Sequence, residues 1–121
     1  MRKSECILKL PENGYVFAIF PSKNKSQPLG RSTKVYSSFQ ECSNALDSFI
    51  DLVSEHRITD HDFVHVRKHD VNTGSSILRR WTFHFYDTDG SELFARTTPY
   101  CQKANCINGI QAVVRYAKEL K

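Results

Sequence analysis

The stretch YSSFQECSNALDSFI at residues 36–50 is answered 64 positions later by YCQKANCINGIQAVV at residues 100–114. Each opens on a tyrosine and runs into apolar residues at helical spacing, Cys42, Leu46, Phe49, Ile50 and Val53 in the first and Cys106, Ile110, Val113, Val114 and Ala117 in the second. Ser38 and Glu41 form an S-x-x-E signature of the kind that caps a helix start. Upstream of each stripe the period changes to two. Tyr15, Phe17 and Ile19 share one side of a strand, and Trp81, Phe83 and Phe85 repeat them at a shift of 66. The two-residue difference between the shifts equals the difference in length of the intervening hairpin loops.

A chain of 121 residues has room for one modest core, so neither copy can bury its own apolar face. The expected fold class is therefore α+β: two tandem β-β-β-α repeats, approximately 1–57 and 58–121, sharing one antiparallel sheet with both helices packed on one face. The whole chain, 1–121, is read as a single domain, and neither half is expected to fold alone. Strands are expected at residues 6–10, 15–20, 29–35, 63–68, 81–86 and 93–98. Turn clusters stand at residues 11–14 and 87–90, and polar links at residues 21–28 and 72–74.

If the helices cover one side of the sheet, alternation leaves Val16, Ala18 and Phe20 of the first half and Thr82, His84 and Tyr86 of the second on the other. A partly apolar open face is an interaction signal, and these six residues are the candidate interaction face.

The second half, with Trp81-Thr-Phe-His-Phe, Asp89-Gly90, Tyr100 and Asn108-Gly-Ile-Gln-Ala-Val113, resembles the YegP-like family of small uncharacterised proteins. The first half is similar through Gly14-Tyr-Val-Phe, Leu29-Gly-Arg-Ser and Tyr36, with Ala45-Leu46 where the family pattern has Gly-Ile. The resemblance implies β-rich units, tandem or dimeric, sharing one sheet. It implies no activity and no catalytic residues.

Chemistry-bearing motifs are sparse. His61, His65 and His69 with Asp60, Asp62 and Asp70 suggest a metal site, but histidines four apart on a strand are separated by about 13 Å, so a solvated strand is the expected state. Cys42 and Cys106 fall on the two stripes and read as small core residues. Cys101 lies near a helix start, yet no histidine stands close in sequence as its base. The cysteines are read as reduced thiols, without a zinc-knuckle spacing. No Gly-rich phosphate loop, nucleophile elbow or paired carboxylates appear, so no enzyme activity and no cofactor or metal is expected.

Net charge is +4. Arg31, Arg67, Lys68, Arg79, Arg80 and Arg96 lie on or beside predicted strands and are the candidate anion contacts. Strand-edge cations also serve to block edge pairing. No apolar run approaches the roughly 20 residues of a membrane span, and no secretory leader is read at the start, so a cytoplasmic location is expected. The function expected from these features is a non-catalytic binding module whose open sheet face takes a protein partner or forms a homodimer. Weak nucleic-acid binding through the strand arginines and aromatics is the alternative.

Overall fold

The computed structural model describes residues 2–21, 27–55 and 63–121. A short 3-10 turn, Lys3–Cys6, leads into β1 (Ile7–Lys9), β2 (Tyr15–Ile19), β3 (Gly30–Ser32) and α1 (Phe39–Glu55). Then follow β4 (Val64–Asn72), β5 (Ile77–Tyr86), β6 (Glu92–Ala95) and α2 (Lys103–Glu119). The strands make one open sheet in the order β1-β2-β3-β6-β5-β4, antiparallel at each junction, so the fold is α+β.

The start of α1 follows from its first residues. The Glu41 amide donates to Ser38 Oγ at 3.1 Å, satisfying one of the donors a helix start leaves orphaned. The Glu41 carboxylate turns back to Ser37, accepting from its hydroxyl at 2.6 Å and its amide at 3.3 Å. Cys42, Leu46, Phe49, Ile50 and Val53 are buried along one side of α1, and Cys106, Ile110, Val113, Val114 and Ala117 along one side of α2. The helices touch each other, α1 lying mainly on β2 and α2 mainly on β5.

Between them is an aromatic core. Phe49 of α1 stacks on Phe94 of β6 at 4.8 Å between ring centroids, and lies 5.5 Å from Phe17 of β2 and 5.4 Å from Phe85 of β5. Phe94 also stacks on Phe83. These five rings are essentially inaccessible to solvent. Each contributes on the order of 1.5–3 kcal/mol by leaving water, and the offset contacts add to that. Rings from both ends of the chain thus meet in one core.

The sheet is joined at its middle by only two residue pairs, Arg31 with Ala95 and Ser32 with Phe94. Close approach compensates for the short pairing. A Cβ on Gly30 would stand 2.6 Å from the Ala95 carbonyl oxygen and 2.7 Å from the Phe94 ring, so a hydrogen is all that fits. Arg96 ties the same seam. Its Nε donates to the Thr98 carbonyl at 2.6 Å, its Nη1 to the Leu29 and Pro28 carbonyls at 3.0 and 3.3 Å, and its guanidinium lies 4.2 Å over the Tyr100 ring. Tyr100 in turn rests against Gly109 of α2, where a Cβ would meet its hydroxyl at 2.3 Å.

Strand lengths differ from expectation in three places, and in one of them, β6, the strand expected over 93–98 ends at Ala95. Residues 29–35 were expected to be extended, but β3 ends at Ser32, followed by a single further bond from the Thr33 amide to the Leu93 carbonyl at 3.0 Å and the bridge of Tyr36 with Tyr15. The Ser32 side chain turns inward, accepting from the Phe17 amide at 3.2 Å and donating to the Lys34 carbonyl at 3.0 Å. In the second half both hairpin strands are longer than expected. Asn72, read as part of a link, is the last residue of β4, and β5 begins at Ile77. The turn between them shrinks to residues 73–76 because Thr73 bonds Ser76 through both its amide and its hydroxyl while Gly74 takes a positive φ of 87°.

Gly30→Ala is expected to lower stability by roughly 1–3 kcal/mol, because the nearest atom is a backbone carbonyl that cannot step aside. An unchanged urea midpoint for this variant would show that the seam tolerates a wider spacing.

Candidate functional site

The first half of the proposed interaction face is closed. Val16, Ala18 and Phe20 are 2, 0 and 6% exposed, which corrects the expectation that they form an open apolar patch. β2 lies inside the sheet, and its register sets Leu8 beside Val16 and Arg31 beside Ala18. Ala18 and Phe20 belong to the buried core itself. Thr82 and His84 are also buried, at 7 and 8%, while Tyr86 is half-buried.

What the second half carries is a polar network. The pairing of β4 with β5 puts His65 opposite His84, Arg67 opposite Thr82 and His69 opposite Arg80. His69 Nε2 lies 2.7 Å from Thr82 Oγ1, Thr82 Oγ1 lies 2.9 Å from His84 Nε2, and His84 Nδ1 contacts Glu92 Oε1. A carboxylate only accepts, so His84 Nδ1 carries the proton that Glu92 receives. His84 Nε2 is then an acceptor and takes the Thr82 hydroxyl proton. The Thr82 oxygen, having donated, accepts from His69 Nε2–H. One terminal carboxylate therefore orders the whole chain and fixes both tautomers.

Electrostatics agrees with that direction. Burial pushes the pKa of His84 below its ordinary 6.5; the hydrogen bond to Glu92 opposes this in part, and the nearby charge of Arg67 lowers it again. A neutral His84 is the form that can accept from Thr82. Beside this chain the Arg67 guanidinium donates to the Tyr86 hydroxyl, and His65 packs edge-on against the Tyr86 ring at 4.9 Å.

The six candidate anion contacts separate. Arg31, Lys68 and Arg79 are exposed, Arg67 is exposed but engaged with Tyr86, and Arg80 is half-buried with its Nη1 donating to the Arg79 carbonyl at 2.9 Å. Arg96 does not join them, a correction to the sequence reading: three backbone carbonyls and the Tyr100 ring occupy it at the seam. Glu92 escaped the sequence reading altogether. A regular hairpin about the turn at residues 87–90 would set it opposite Phe85; a register shift between Phe85 and Tyr86 sets it opposite Tyr86 instead, on the His84 side.

A second feature was also missed. β5 pairs with β6 only from His84 onward, whereas it pairs with β4 along its whole length to Ile77. Beyond the bridge between Trp81 and Tyr100, the outer part of the hairpin is therefore a two-stranded ribbon. It exposes Val71, Ile77 and Leu78 at 45, 67 and 38%. Ribbons of two strands are marginal in water by themselves. β4 is also the last strand of the sheet, so its outer edge is unpaired among the described residues.

Among the described residues no group of three or more side chains is placed to hold a metal ion, and no helix is long and apolar enough to cross a membrane. Asp60, His61 and Asp62 lie outside the described residues. Cys42 and Cys106 are buried and their thiols are pushed up to about 11 by burial, while Cys101 is exposed. No family model matches the chain, and neither a curated protein nor a solved structure matches it.

Stability should fall as pH drops below 6.5 toward the depressed pKa of His84, because in that window the unfolded chain binds a proton the folded chain refuses. Thr82→Val is expected to cost about 1–3 kcal/mol by leaving His84 Nε2 buried without a donor, and to release His69 from its Nε2–H tautomer. Urea titrations across pH and imidazole nitrogen shifts check both. A His69 tautomer indifferent to Thr82→Val would break the ordered chain.

Proposed function

We propose that this chain is a non-catalytic binding module of the cytoplasm whose docking element is the β4–β5 ribbon, with a protein or a further copy of itself as partner. The observation that carries this reading is the exposure of Val71, Ile77 and Leu78 on a ribbon that has only two strands. Apolar groups at such a tip gain nothing in the isolated molecule and stabilise a complex that covers them. The partner's seat moves accordingly, from the whole open face to the outer hairpin. Thr82 and His84 stiffen the inner ribbon from beneath, and Tyr86 with Arg67 and His65 forms its accessible inner end.

The tandem duplication and the YegP-like resemblance belong to the same proposal. Support comes from the pairing: the bridge of Tyr15 with Tyr36 corresponds to that of Trp81 with Tyr100 at shifts of 66 and 64. The pair Ala18–Arg31 corresponds to His84–Ala95 at the same shifts. On this reading Arg31 and Ala95 are equivalent residues paired with each other across a local two-fold axis. Gly30 and Phe94 are equivalent as well, and one is a hydrogen where the other is a ring because both sides of the axis cannot hold a phenyl group. The first copy turns sharply between β1 and β2, whereas the second has lengthened that hairpin into a ribbon. A segment elongated in one copy alone is free to acquire a role the other lacks.

Ile77→Asp with Leu78→Asp tests the docking element. Both side chains are exposed, so the fold should be kept, while loss of two anchors should weaken a complex about tenfold or more. Affinity capture from the host cell with both forms, together with light scattering, reads the outcome. Retention of the same companions and the same mass by the variant would overturn the ribbon as docking element.

Nucleic acid is the second reading, favoured by charge. Residues 64–86 contain four Lys or Arg and one Asp, accounting for three of the chain's four net positive charges. Anisotropy titrations with single-stranded probes should then give affinity that falls with salt by a log–log slope of about −0.7 per phosphate contact. Absence of binding at low salt to single- and double-stranded probes removes this reading.

A further inference from the structure

We infer that the ribbon docks on a second copy of this chain, against the acidic side of that copy's α1, giving head-to-tail association in place of a two-fold dimer. The inference rests on the proposed ribbon function and names its partner.

The charge distribution is the first ground. α1 contains Glu41, Asp47, Asp51 and Glu55 and no Lys or Arg, while residues 64–86 carry Arg67, Lys68, Arg79 and Arg80 against Asp70 alone. The molecule therefore presents one acidic rod and one basic ribbon, and complementary fields orient an encounter between copies.

The second ground is which acids are already satisfied. Asp47 bonds Lys3 at 2.9 Å, and Glu41 is held by Ser37. Asp51 and Glu55 are exposed, and no described residue makes an ion pair with either. They sit one turn apart at the C-terminal end of α1, where no basic residue stands in the last turn. Two carboxylates there repel each other at i, i+4 and face the negative end of the helix dipole. Among the described residues no cation compensates this pair, so a cation from a second molecule can.

Third, the sheet edge guards itself against the simplest alternative. Antiparallel pairing of β4 with its own copy about Lys68 would set Lys68 opposite Lys68. Like charges directly opposite each other destabilise a strand pair. Cations on an outer strand are a recognised barrier to edge-to-edge assembly. What repels another β4 attracts α1, and covering one face of the ribbon by a helix also shields Val71 and Leu78, which are paired on that face. Such a contact uses two different surfaces, so each added copy leaves one of each free and growth continues with concentration.

Sedimentation of the full chain with two charge-reversed variants, R79E/R80E and D51K/E55K, tests the assignment, after circular dichroism confirms that each is folded. In low salt the wild type should gain mass with concentration. Affinity should weaken about tenfold or more once the screening length drops well below the roughly 10 Å of 0.1 M salt. Each variant alone should stay monomeric, and an equimolar mixture should regain association with equal incorporation of the two, because every reversed surface again meets an opposite charge on the other variant. A wild type monomeric throughout, or a mixture without complex, overturns the inference. Assembly of D51K/E55K like the wild type overturns the assignment of α1 while leaving the ribbon as docking element intact, and the Ile77→Asp, Leu78→Asp variant judges the latter separately.

Discussion

The stack of Phe49 on Phe94 is the contact on which the rest of the structure depends. One ring comes from the helix that ends the first half and the other from the last strand of the second, so their overlap fixes the two halves against each other. Backbone pairing at the seam, two residue pairs, could not do this alone. Phe94 can lie where it does only because Gly30 offers no side chain, and that absence sets the approach of β3 to β6. Packing here is close enough that a single methyl group reports on it.

From that rigid middle the two ends of the sheet differ in what they can do. At the β1 end the strands are short and β2 is buried on both sides. At the β4 end the hairpin outruns its neighbours, and the hydrogen-bonded chain from Glu92 through the buried His84 and Thr82 to His69 anchors it where the core gives out. Among the described residues no buried side-chain polar atom lacks a partner. The network thus meets the condition under which buried polar groups specify a structure instead of weakening it. Its firmness at the base and the two-stranded exposure at the tip are complementary: a projecting element binds usefully only if its root is fixed.

Much of the framework was legible along the chain. Both helices were marked by stripes at helical spacing and α1 by its Ser38 and Glu41 cap; β2 and β5 were marked by alternating aromatics. Local signals of this kind depend only on neighbours in sequence. The extent of β3 and of the long hairpin was not legible, because Ser32 turns inward to satisfy the Phe17 amide and because Asn72 is polar yet extended. Polarity marks exposure, and an exposed ribbon is as polar as a loop.

The chain itself therefore determined the element types and the side of each strand that faces the helices, since periodicity is a property of the residues in order. Tertiary structure decided which of those strands is covered on its second side as well. It buried Val16, Ala18 and Phe20, drew Arg96 into the seam, and brought Glu92 to His84. Burial and hydrogen-bond partnership arise from residues distant in sequence, so only the paired sheet could choose between an open face and a closed one, or between a free cation and a fastened one.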